Sequence, residues 1–77
     1  MSEMGDEVMV LSEVKKNGVY HVKHLDGSDD LNRHLENLGF VPGESVTVVS
    51  RIAGNVIVNV KGSRVALSSE LARNIVI

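Results

Sequence analysis

Apolar residues change their spacing twice along this chain. Over residues 8–14, VMVLSEV, and 19–25, VYHVKHL, they fall in short runs rich in β-branched types, which predicts two strands. Asn17-Gly18 between them suits a tight hairpin, since both residues tolerate positive φ. The loop DGSDD, 26–30, breaks this pattern. Leu31, Leu35 and Leu38 then recur at i, i+4 and i+7, one face of a helix over about 29–38. Ser28 or Asp29 can cap its first amides, and Asp29 and Asp30 lie where the helix dipole favours negative charge. Gly39 suits the left-handed position that ends such a helix, with Phe40 folding back on Leu35. Pro42-Gly43 then fits the centre of a type II turn.

The remainder reads as β. ESVTVVSRI (44–52) carries alternating Val46 and Val48, and its Val48-Val49 doublet predicts a bulge. AGN turns the chain back, VIVNV (56–60) is the next strand, KGS turns again, and RVAL (64–67) follows. A one-turn helix over about 69–73, capped by Ser68 or Ser69, precedes a last strand at NIVI (74–77). Five to six short strands laid flat would leave long exposed edges. Closure into a small barrel removes most of them. The pattern therefore predicts a mainly β, SH3-like barrel with one inserted helix. NIVI is the strand expected to offer an unpaired edge, for β-augmentation or weak homo-oligomerisation.

Length adds one constraint: 77 residues hold a single domain, expected over 8–77 behind a flexible tail at 1–7. Composition removes several functions. Without cysteine there are no disulfides, thiolate metal sites or cysteine nucleophiles. The acidic start, MSEMGDEVMV, lacks the basic and apolar regions of a secretory signal, and no apolar run approaches the roughly 20 residues of a membrane-spanning helix. A cytoplasmic protein without membrane insertion is expected. Formal net charge is −2, and the eight Lys and Arg are scattered singly apart from Lys15-Lys16. Phosphate backbones are bound chiefly by clustered cations, so nucleic acid is not the expected partner.

The chain does resemble a known family. Leu35, Leu38-Gly39-Phe40, Pro42-Gly43, Val46 and Val48, Gly62, Val65-Ala66-Leu67, Glu70 with Ala72, and Ile75-Val76 follow in order the pattern of the ferrous iron transport protein A family. The resemblance covers about residues 8–77. It implies a small cytoplasmic SH3-like domain that assists the membrane ferrous iron transporter by docking on its GTP-binding cytoplasmic portion. Related modules close the C-terminus of some metal-dependent repressors, which implies the alternative of a metal-responsive regulatory module. The family supplies no agreed catalytic residues.

The residues themselves give little chemistry. No serine stands in a strand–elbow–helix context such as G-x-S-x-G, and the phosphate-binding G-x-x-x-x-G-K-[ST] is missing. So small a barrel also has little volume for the usual pocket, and no enzyme activity is expected. His21, His24 and Asp26 are the candidate ligands for a weakly bound iron or zinc ion, with Asp29, Asp30 and His34 nearby in sequence; no cofactor is required. On a strand, however, His21 and His24 would project to opposite faces. With only Tyr20 and Phe40 as aromatics, neither a proline-rich peptide groove nor base stacking is served. Contact with a protein partner remains. Its candidate residues are Tyr20, Leu25, Asp26 in the following loop, and Arg33 on the helix.

Overall fold

Valines at every second position build the main sheet. In the computed structural model, which describes residues 9–77, β1 (Gly18–His21), β3 (Ser45–Ile52), β4 (Asn55–Val60) and β5 (Ser63–Ser68) pair antiparallel in the order β1-β3-β4-β5. The tail expected over 1–7, and Val8, lie outside the described residues. Val46 stands opposite Val60, Val48 opposite Val58 and Val56 opposite Leu67, and all six are buried. One face of the sheet is therefore the inside of the barrel, as period-2 alternation requires. Ala53-Gly54 and Lys61-Gly62 form two-residue hairpin turns with φ of 52°, 85°, 51° and 78°. Positive φ at both central positions is the type I′ geometry that matches strand twist. The register slips between Val48 and Ser50, which makes Val49 the extra residue of the expected bulge.

The inserted helix, α1 (Asp29–Leu38), starts and stops as its sequence predicts. Ser28 Oγ accepts the Leu31 N–H at 3.2 Å. Gly39 takes φ 111°. Its N–H donates to the Glu36 carbonyl at 3.0 Å, and the Phe40 N–H donates to the Leu35 carbonyl at 3.0 Å. These two bonds define a Schellman stop, whose accompanying apolar contact here is Phe40 with Leu35, both 0% exposed. The Glu44 N–H donates to the Val41 carbonyl at 2.9 Å across Pro42-Gly43, with Gly43 at φ 90°, completing the type II turn.

Two expected strands form differently. Over the described part of 8–14, Val10 makes a single bridge to Val76, and Leu11–Glu13 wind a 3₁₀ turn. Leu11 and Val14 are both buried. A 3₁₀ turn brings i and i+3 to the same side, whereas a strand would send one of them to solvent. Asn17-Gly18 consequently turns no hairpin; β1 pairs with β3, from Gly18 opposite Val48 to His21 opposite Ser45. The run 19–25 is also broken, into β1 and β2 (His24–Leu25). At the break, Val22 is buried, donates to the Glu44 carbonyl at 2.9 Å and accepts the Gly43 N–H at 2.7 Å. Lys23 then donates to Val76 at 2.7 Å, so the chain leaves one sheet at Val22 and enters a second.

That second sheet closes the barrel. α2 (Ser69–Ala72), capped by Ser68 Oγ at 3.3 Å from the Leu71 nitrogen, delivers the chain into β6 (Ile75–Val76). β6 pairs antiparallel with β2, while Val76 bridges Val10 and the Ile77 N–H donates to the Met9 carbonyl at 2.9 Å. The expected open edge at 74–77 is thus occupied on both sides. The outer edges of the four-stranded sheet belong to β1 and β5. Six strands in two sheets, an inserted helix and a one-turn helix give the SH3-like architecture the pattern predicts. Among the described residues, no helix is long and apolar enough to cross a membrane.

Candidate functional site

The 3₁₀ turn leads into a short loop, Lys15–Asn17, and three side chains fasten that loop to the barrel. The Arg51 guanidinium donates to the Lys15 carbonyl. The Tyr20 hydroxyl donates to the Lys16 carbonyl at 2.8 Å. The Asn17 amide donates to the Val49 carbonyl at 3.2 Å. Val49 is the bulge residue, so this last bond uses a carbonyl that the β3–β4 ladder passes over. A loop without regular structure is in this way held in one shape.

Behind the loop lies an open groove of about 380 Å³, lined by Met9, Glu13, Val14, Lys15, Lys16 and Tyr20. Its floor is apolar: Val14 is buried, the Tyr20 ring packs against the core, and Met9 is 49% exposed. Its rim is charged, with Glu13, Lys15 and Lys16 all exposed. It is an open surface groove and not an enclosed cavity. The end of the 3₁₀ turn, Glu13, and the loop that follows it form one side of the groove, with Tyr20 of β1 also in its lining. Elsewhere the most exposed large apolar residues are Val19 and Ile52. Val19 pairs with Thr47, five positions before Ile52 on β3, about 16 Å along a strand. They are separate, and isolated apolar residues need no partner.

Of the predicted contact residues, only Tyr20 lines the groove. Leu25, half-buried, pairs with Ile75 and packs on the core. The exposed Asp26 donates its N–H to the Asn74 carbonyl at 2.8 Å, and Arg33 is exposed on α1. Met9, Val14, Lys15 and Lys16 went unidentified as groove residues. The one available signal was Lys15-Lys16, the sole adjacent cation pair in the chain. The predicted ligands fare as follows. The break at Val22 interrupts the strand on which His21 and His24 were to face apart, and both are exposed, as are Asp26 and His34. Among the described residues, no three His, Cys, Asp or Glu side chains gather in a group able to hold a metal ion.

The FeoA domain model matches residues 9–77. The chain belongs to the FeoA family. Its fold is similar to that of the Stenotrophomonas maltophilia FeoA solved with zinc, an SH3 domain protein put forward as a candidate activating factor of bacterial ferrous iron transport. The two share 30% identity over 87% of this chain and 86% of that one, with a TM-score of 0.75. A second FeoA, an iron uptake regulatory protein, shares 27% identity over 91% of this chain and 93% of that one, at a TM-score of 0.81. The manganese regulator SloR shows the same fold at 22% identity and a TM-score of 0.78, covering 87% of this chain. This FeoA domain spans only 32% of that regulator. No curated protein matched the sequence.

Proposed function

We propose that this FeoA domain is a non-enzymatic accessory of bacterial ferrous iron transport that docks on the cytoplasmic region of the membrane iron transporter. Family membership over 9–77 is the observation that carries the reading. The groove beside Tyr20 supports its docking half, because it is apolar inside, charged at the rim and held by a fastened loop. Docking alters the transporter only through different affinity for two of its states; equal affinity for both changes nothing. The test is a pull-down of this protein against the transporter's cytoplasmic region, with and without nucleotide, alongside iron uptake in a deletion strain. Capture and reduced uptake support the reading. No capture, with uptake and transporter assembly unchanged, removes it.

The zinc-bound relative favours a second reading, a regulatory module that responds to a divalent ion. His21, His24 and Asp26 are its candidate ligands, although among the described residues no three such side chains gather in one group. Calorimetric titration of dilute protein with ferrous and zinc ions decides it. One tight site, lost in His24→Ala, supports this reading; no heat at either ion retires it.

A further inference from the structure

We infer that the groove takes a short acidic segment of its protein partner, one apolar side chain entering between Met9, Val14 and Tyr20 while flanking carboxylates meet Lys15 and Lys16. The inference rests on the docking reading and gives it a ligand chemistry. Volume comes first. About 380 Å³ is room for one or two large side chains and far too little for a folded element. The lining comes next. Met9 is a flexible thioether that adapts to different apolar guests, and the Tyr20 ring is fixed because its hydroxyl is already bonded to Lys16.

Charge then selects the partner. The whole chain is acidic, at −2, yet the groove lining carries the two cations Lys15 and Lys16 against the single carboxylate of Glu13. This is the one place in the sequence where two cations adjoin. The loop carbonyls of Lys15 and Lys16 already accept side-chain bonds, so at the loop itself a guest meets the exposed lysine side chains and not these two backbone acceptors. Recognition there is by side chains: apolar contact for affinity, opposite charge for selection and approach rate. Because the lysines are exposed, attraction to carboxylates falls as salt is added.

The experiment titrates the full chain with a labelled acidic peptide, Asp-Glu-Leu-Phe-Asp-Glu, and its neutral counterpart, Asn-Gln-Leu-Phe-Asn-Gln, following amide shifts by NMR. Shifts centred on residues 9–20, weaker binding at high salt, and about tenfold loss in Lys15→Gln/Lys16→Gln are expected, the size two exposed ion pairs give. A thermal melt shows that the double variant is folded; if it is not, the single Lys16→Gln variant replaces it, with about threefold loss. Equal binding of the neutral peptide, or shifts centred elsewhere, overturns the inference. So does acidic-peptide binding that appears only after residues 1–8 are removed, which would make the chain's own acidic start the occupant. Repeating the pull-down with the double variant separates the two claims. Undiminished capture leaves docking intact and overturns this inference. If no form is captured, the docking reading falls and the peptide titration alone decides the groove.

Discussion

The helix stop at Leu35–Glu44 and the loop at Lys15–Asn17 are both irregular corners of one barrel, and they are held by opposite means. The helix stop is made of neighbours. Its two capping bonds span three and five residues, its turn bond spans three, and Phe40 drives it by burying its ring against Leu35. Two of the loop's three fastenings come from strangers, the Tyr20 bond to Lys16 being the local one. Arg51 and Asn17 reach across 36 and 32 residues of sequence, through exposed hydrogen bonds that hold little buried surface. Burial of a large aromatic is worth several kcal/mol, whereas an exposed hydrogen bond nets about 1. One corner sets whether the barrel stands; the other sets the shape of a surface.

That contrast predicts a graded series. Phe40→Ala should cost about 3–5 kcal/mol, enough to unfold much of a domain whose total stability is on the order of 5. Urea denaturation measures it, and a loss below about 1 kcal/mol would show that the stop is not anchored in the core. Gly39→Ala comes second, at about 1–2 kcal/mol. It places a Cβ at φ 111° and 3.3 Å from both Lys61 Cδ and Val60 Cγ2, and the same denaturation assay reads it. Ser28→Ala removes the cap on Leu31 at about 1 kcal/mol, seen as a lowered melting temperature with an unchanged far-ultraviolet spectrum at 20 °C or so. Arg51→Ala should move global stability least, by under about 1 kcal/mol. Its signature is local: faster amide exchange confined to residues 15–18. Exchange that rises throughout the barrel would erase the distinction between the two corners.

The same distinction explains what could be read from the sequence. Leu35-x-x-Leu38-Gly39-Phe40-x-Pro42-Gly43 carries its own instructions, because every partner lies within a few residues. The helix, its stop, the type II turn and the bulge at Val49 all follow from local pattern. Residues 11–14 do not announce themselves, since Leu11 and Val14 choose a 3₁₀ turn only because the core lies on one side of both. Nor does the bend at Val22, which is set by Gly43, Glu44 and Val76. The groove lies beside the first of these, so its lining was not legible as a groove, and Tyr20 alone of the predicted contact residues lines it. The ligand candidates show the same dependence: His21 and His24 were placed by strand geometry on a segment that bends between them.

The bond from the Ile77 N–H to the Met9 carbonyl has a topological result. Positions 9 and 77 leave the barrel side by side, like the two ends of a closed necklace at its clasp. A linker of a few residues could join them and let the ring be opened at the Ala53-Gly54 turn instead, giving a permuted chain of the same shape. β5, at the free edge of the other sheet, would keep its place in the order β1-β3-β4-β5.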